Sequence, residues 1–293
     1  MTDFTICNVC DRPTNLADST DIAEVRPNTR PHRHEEFTVW RCNHCRSLHC
    51  KEMVDLDFYY RDYYLKDQVL DYFTRCSSWN RERLLRKVGV QRNHRILDYG
   101  CGKGLVVEYL RQRGYTSVEG YDPFVPEFST PTKLNEKYDA ITMYEVIEHV
   151  EDPRDLLGEM AGRVKLGGIL AVSTPNAAQI DLSLPDTPEL HQPYHRHLLS
   201  ESALIDMGRP FGLTPAYIYR RFFLDTLFPA VNTRFVWEYV RRHGNVFDVL
   251  TEPPRIASVF LSPRLLFFSV AGYFFPTRQS MMVLFRRVGT VGR

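Results

Sequence analysis

The sequence predicts an α/β protein, a parallel sheet with helices on both faces, preceded by a small cysteine-rich module of the zinc-ribbon kind. Three observations carry that expectation. Ile96-Leu97-Asp98-Tyr99-Gly100-Cys101-Gly102-Lys103-Gly104 runs from an apolar pair through an acid into alternating glycines, and Leu105-Val106-Val107 then opens a helical pattern. This is a strand, a tight turn and a first helical turn, where residues without Cβ accept φ > 0 and let a ligand approach the backbone. Downstream, strand-like runs alternate with helical ones, as in a doubly wound sheet. Upstream, two C-x-x-C pairs are separated by 31 residues.

Cys7-Asn8-Val9-Cys10 and Cys42-Asn43-His44-Cys45 can place four thiolates at ~2.3 Å around one zinc ion. The strand-like Phe37-Thr38-Val39-Trp40 enters the second knuckle, and Asn15–Glu36 is expected to be a loop or an extra hairpin. His44, His49 and Cys50 crowd that knuckle as substitute ligands, but four cysteines already fill a closed structural site, so the metal is expected to be a folding staple. The first four residues lack a basic region and an apolar core, so no signal peptide is expected. A reducing, cytoplasmic compartment is therefore the expectation for the seven cysteines. With 37 basic and 36 acidic residues in 293, the chain has no electrostatic footprint of a dedicated nucleic-acid binder.

Residues 1–55 form the expected cysteine module, 56–92 a helical linker and 93–293 the main domain. In the linker, Leu65, Val69, Leu70, Phe73, Leu84, Leu85 and Val88 recur at helical spacing, giving one or two helices. The aromatics Phe58-Tyr59-Tyr60 and Tyr63-Tyr64 serve either to pack a helix or to cover a pocket. In the main domain, Ser117–Asp122 is a second strand whose terminal acid lies 24 residues beyond Asp98. An acid placed so is positioned for ribose hydroxyls. Tyr138–Tyr144 is a further strand, followed by Glu145-Val146-Ile147-Glu148-His149-Val150, a helix over Leu156–Val164, and a strand at Ile169–Ser173 ending in Thr174-Pro175-Asn176. Ligands of such sheets bind beyond the carboxyl ends of the strands, where Gly100, Asp122 and Glu145 gather.

Ile96–Gly104, Gly120–Pro123, Tyr138–Val150 with Asp152-Pro153, and Gly167–Asn176 together resemble a class I S-adenosylmethionine-dependent methyltransferase, of the subgroup whose fourth strand runs into E-V-x-E-H. The resemblance covers about residues 95–220. It implies a Rossmann-like seven-stranded sheet with a reversed last strand. It also implies that Asp98, Gly100, Gly102 and Gly104 line the methionine part of S-adenosylmethionine, Asp122 the ribose, and Met143, Tyr144 and Glu145 the adenine and sulfonium side. One segment departs from the family: Pro123–Tyr138 replaces a helix, a strand and a second helix, and its prolines break any long helix. A nicotinamide cofactor is the natural competitor for a glycine turn, but a carboxylate at the mouth of the turn repels pyrophosphate and suits an ammonium.

In the C-terminal part, His191-Gln192-Pro193-Tyr194-His195-Arg196-His197 precedes a helix capped by Ser200. By resemblance to sugar methyltransferases with a cysteine-rich N-terminal domain, His195 occupies the position of a catalytic base and His149 a second family-like position. Those enzymes carry an acid beside the base, where this chain has Tyr194. A zinc site of His191, His195 and His197 is a weaker alternative. Strands are expected at Phe211–Arg221 and Met281–Arg287, with an apolar insertion at 222–277. Leu265–Thr277 is uncharged but too short to span a bilayer, which needs ~20 residues. It reads as a substrate lid, a surface for peripheral membrane contact, or a helical cap. The expected function is methyl transfer to a small-molecule acceptor, a sugar hydroxyl or carbon on a nucleotide or lipid carrier. The alternatives are a quinone or natural-product O-methyltransferase and a zinc-ribbon RNA methyltransferase.

Overall fold

The computed structural model describes residues 4–15, 21–60, 68–184 and 186–289. Strands β1 (Phe4–Ile6) and β2 (Pro13–Asn15) form a hairpin around the first cysteine pair. Strands β3 (Ile22–Val25), β4 (Phe37–Arg41) and β5 (Leu48–Cys50) run antiparallel around the second. The linker holds helices α1 (Leu56–Tyr60) and α2 (Tyr72–Lys87), the latter capped by the Asp71 carboxylate, which accepts the Thr74 N–H. Tyr63, Tyr64 and Leu65 lie outside the described residues.

The main domain alternates as its sequence dictates: β6 (Arg95–Tyr99), α3 (Leu105–Gln112), β7 (Ser117–Tyr121), β8 (Tyr138–Tyr144), α4 (Pro153–Arg163) and β9 (Val164–Pro175). It continues with the two-residue β10 (His197–Leu198), α5 (Glu201–Gly208), β11 (Leu213–Tyr219), α6 (Thr233–Arg242), α7 (Ile256–Phe260), α8 (Pro263–Ala271) and β12 (Ser280–Arg287). The Ser200 hydroxyl caps α5 as its sequence predicts, accepting the Ala203 N–H at 3.1 Å.

The central sheet has the order β7-β6-β8-β9-β12-β11, with the first four strands parallel and β12 antiparallel to both neighbours. Alternate residues serve opposite faces. Leu97, Leu170, Val172, Val283 and Phe285 pack toward α4 and α5, whereas Ile96, Ile169, Ala171, Met282 and Leu284 pack toward α2, α3 and α6. The expected seventh strand is absent among the described residues. Its place in the sequence, Pro123–Lys137, holds two single 3₁₀ turns, Pro126–Phe128 and Pro131–Asn135, each started by a proline. So few residues with three prolines cannot supply a crossover helix and a strand, which need a dozen or more. Strand β7 is therefore the sheet edge.

The cysteine module is joined to the main domain through its backbone. Strand β10, from the histidine loop, pairs with β5 and extends the module's sheet to the order β10-β5-β4-β3. Arg41 is buried and donates to the carbonyls of Ala177 and Ile180, just beyond β9. The insertion folds back as a cap: Val236, Tyr239, Val240 and Leu265 pack into the core shared with α2 and α3.

Candidate functional site

The glycine turn sits at the carboxyl end of β6 with Gly100, Gly102 and Gly104 all at positive φ, +72°, +51° and +73°. A Cβ on Gly100 would lie 2.4 Å from Val146, and one on Gly104 2.4 Å from the Phe128 ring, so close packing requires glycine at both. Gly102 alone faces open space, with nothing within 4 Å of where its Cβ would be. Asp122 pins the turn: its carboxylate accepts the Gly102 N–H at 3.0 Å and the Phe124 N–H at 2.9 Å. Gly102→Val should keep the sheet but place a branched side chain in the left-handed region and in that open space. We expect donor affinity to fall about a hundredfold by calorimetry, with circular dichroism unchanged.

Asp98 is buried at the end of β6, held by the Thr142 hydroxyl at 2.6 Å, and desolvation pushes its pKa up to about 6. On the same face of the sheet lies Arg81, from α2. Its guanidinium covers the rings of Phe223 at 3.6 Å and Tyr144 at 4.8 Å, and its Nε has no hydrogen-bond partner. The charges of Asp98 and Glu145 favour its cationic form against burial. No ion pair forms between Arg81 and either acid among the described residues, although the buried cation and the buried carboxylates are near enough for their charges to interact. The sequence carried a signal for Arg81 that the apolar pattern hid: it precedes Leu84, Leu85 and Val88 by three, four and seven residues, on the buried stripe of α2.

Of the remaining residues assigned to the cofactor, Met143 is buried in the core on the α4 side, and the buried Tyr144 hydroxyl lacks a partner. Glu145 adopts φ +54°, a left-handed conformation costing a non-glycine residue ~1–3 kcal/mol. The strain is held by its N–H on the Ser173 carbonyl and by the Ser173 hydroxyl on its carboxylate at 2.5 Å. Burial raises its pKa to about 7.

The structure brings His149 and His195 together with Glu148. One ligand atom of each lies within 4.8 Å of the others. Neither Glu148 carboxylate oxygen has a hydrogen-bond partner, and burial, reinforced by the Glu145 charge, raises its pKa. The His195 Nδ1–H donates to the Glu189 carbonyl at 2.7 Å, which leaves Nε2 as the bare nitrogen. Burial depresses the pKa of His195 to about 4 and that of His149 further below its usual value. The alternative trio of His191, His195 and His197 does not assemble. His197 turns away to His49, at 2.9 Å, and to the Glu151 carbonyl, at 3.0 Å, because β10 pairs it with the cysteine module. Tyr194 is buried against Tyr59, whose carbonyl accepts its hydroxyl.

An arc of rings runs from His191, beside His195, to Tyr144, beneath Arg81. His191 packs on Phe247, Phe247 stacks on Trp237, and Phe222 and Phe223 continue to Tyr144. Four of these rings come from the insertion. Glu189 is buried beside them, its carboxylate accepting the Trp237 Nε1–H at 3.1 Å.

Cys7, Cys10, Cys42 and Cys45 converge with their sulfurs within 4.8 Å of one another. All four are free thiols, and the His44 N–H points at the Cys42 sulfur at 3.4 Å, as at a thiolate knuckle. His49 Nε2 lies 3.1 Å from the Cys7 sulfur and starts the chain of contacts that continues through His197 to Glu151.

The profile of a family described as a methyltransferase domain matches residues 59–217, just over half of the chain. The chain is 32% identical over 138 residues to the ubiquinone biosynthesis O-methyltransferase of Dinoroseobacter shibae, covering 40% of this chain and 56% of that protein. It is 34% identical over 106 residues to the enzyme of the same name from Hydrogenovibrio crunogenus, covering 29% and 44%. The chain thus spans about half the length of the curated relatives it matches. Among solved structures it is similar to a geranyl diphosphate methyltransferase in complex with S-adenosylmethionine, with 18% identity and a TM-score of 0.47 over 72% of this chain and 85% of that one. On the extent of the family match, the chain belongs to the methyltransferase-domain family.

Proposed function

We propose that this chain transfers a methyl group from S-adenosylmethionine to a hydroxyl of a small-molecule acceptor. The observation that carries the reading is the buried Arg81 cation, without a partner at its Nε, within charge interaction of Asp98 at the end of the strand that leads into the Gly102 turn. An α-amino acid presents a carboxylate and an ammonium together, and the buried guanidinium and carboxylate match that pair in charge and order. Asp122 would take the ribose hydroxyls and Met143, Tyr144 and Glu145 the adenine and sulfonium side. The bound donor supplies a methyl group already activated by its sulfonium. The chain's share is alignment, worth ~7–11 kcal/mol in the best oriented systems, and removal of the acceptor's proton. The bare Nε2 of His195, oriented by the Glu189 carbonyl, is the candidate base, with His149 beside it. Four cysteines hold a structural zinc, and residues 1–55 act as a module that braces the histidine loop.

The arc of rings from His191 to Tyr144 supports a flat acceptor. The relatives named for ubiquinone biosynthesis support an oxygen acceptor and a quinone-type ring ahead of the sugar carrier expected from the histidine loop. Incubation with labelled donor and either hydroxylated benzoquinol precursors or sugar nucleotides separates the two by where the label partitions. Label in neither product, with donor bound, would overturn the acceptor assignment.

A second reading of the base rests on Glu148. A buried carboxylate with two partnerless oxygens beside two neutral imidazoles is a donor set for a divalent cation. Such a cation would lower the pKa of a bound acceptor hydroxyl. Chelation, with cysteine-bound zinc checked at one per chain, should then reduce turnover about tenfold or more, with magnesium or manganese restoring it and Glu148→Gln abolishing the response. Turnover insensitive to chelation returns the role to His195 alone.

A further inference from the structure

We propose that the α7–α8 face docks on an anionic lipid surface, presenting the arc of rings to acceptors held there. The inference rests on the proposed transfer reaction only for its purpose. The surface itself stands on separate observations.

Phe260, Leu261, Phe267, Val270 and Phe274 are each more than half exposed, and together they cover the tips of α7 and α8 and the turn that follows. Phe267 and Val270 lie three residues apart on α8, and two ring groups flank them: Phe267 lies against Phe268 and Phe275, and Tyr273 against Phe274. Five largely exposed apolar side chains gathered on two short helices and the following turn are the mark of an interaction site. No described helix is long and apolar enough to cross a membrane, so contact is at the interface.

Charge selects the occupant. Between Arg220 and Arg278 there are eight arginines against four acids, while the whole chain is nearly neutral. Arg221, Arg234 and Arg264 rim the patch with their guanidiniums over the rings of Tyr273 and Phe268. Arg264 is paired with Glu238 at 3.0 Å, but Arg221 and Arg234 donate to the carbonyls of Tyr273 and Phe275 and form no ion pair among the described residues. A second copy docked face to face would bring two basic rims together, because a two-fold interface pairs a surface with itself. Acidic headgroups instead compensate the rim while the rings enter the acyl boundary. The same insertion supplies Phe222, Phe223, Trp237 and Phe247 to the arc of rings, so docking would bring a lipid-borne acceptor to it.

The test is flotation of the full chain with vesicles of phosphatidylcholine alone and of phosphatidylcholine with phosphatidylglycerol. We expect binding to the mixed vesicles, weakened by salt, and weak binding to the neutral ones. Phe267→Ser/Phe274→Ser should reduce it about tenfold or more, and Arg221→Gln/Arg234→Gln should remove the preference for anionic lipid. Donor binding by calorimetry should be unchanged in both variants, which verifies folding and keeps this result separate from the fate of the catalytic assignment. Absence of vesicle binding, equal binding by the phenylalanine variant, or a wild-type dimer that this variant makes monomeric would overturn the proposal.

Discussion

Cys42→Ser is expected to lower zinc from one per chain to near zero and to abolish methyl transfer, although no cysteine of the cluster belongs to the catalytic groups. Structural zinc contributes about 10–16 kcal/mol of apparent binding free energy in small zinc-binding peptides at neutral pH, and little of this survives loss of a thiolate. The module that the proposed zinc would hold is small, with strands of three to five residues and little core of its own. What the module holds in turn is the histidine loop. The Ser200 hydroxyl donates to the Cys45 carbonyl at 2.6 Å, the Cys50 N–H to the Arg196 carbonyl at 3.0 Å, and β10 pairs with β5. From the other side, the Glu148 carbonyl accepts the N–H groups of Arg196 and His197. Removing the metal therefore releases a loop that places His195 against Glu148 and His149. A misplacement of about 1 Å is enough to cost a hundredfold in rate. Metal analysis, turnover and amide exchange over residues 187–200 check this. Loss of zinc with wild-type turnover and exchange would make the module a passive appendage.

Much of the architecture was legible because each strand and helix announces itself locally. The glycine turn, the acid ending β7, the proline that starts α4 and the serine that caps α5 all act over three or four residues. The seventh strand was expected from family resemblance against the evidence of Pro123, Pro126 and Pro131, and the prolines prevailed. The site was legible only in part. Asp98, Gly102, His149 and His195 stand in recognisable motifs, but Arg81 reaches the site from a linker helix and Glu189 through a loop, and neither belongs to a motif. Arg81 could still be read as a cation misplaced on an apolar stripe. Glu148 belongs to the same E-V-x-E-H segment as His149, but its lack of partners is a property of three-dimensional burial. The pairing of β10 with β5 joins residues about 150 positions apart and leaves no trace in either segment.

Replacing either half of the Arg81–Asp98 pair should weaken donor binding by about 3 kcal/mol, roughly a hundredfold, since each loses a charge-assisted contact in a buried site. The two halves differ in their pH dependence. Desolvation raises Asp98 from 3.8 to about 6 in the folded chain. Without donor, the folded state therefore holds this proton to a higher pH than the unfolded chain does. Asp98 then favours folding below its unfolded value, and that contribution declines as pH rises from about 4 to about 6. Under the proposed site, donor binding runs the other way, because the methionine ammonium would need the carboxylate. Below about pH 6 a proton must leave before the donor enters, so affinity should fall toward tenfold per pH unit. Asp98→Asn removes that proton, and its affinity should be low and nearly independent of pH across this window. In Arg81→Leu the carboxylate remains, with its pKa raised further by the loss of a neighbouring cation, so the decline should begin at a higher pH. Titration calorimetry from pH 5 to pH 8 on the three proteins distinguishes these curves. Parallel curves for wild type and Asp98→Asn would remove Asp98 from the ammonium site.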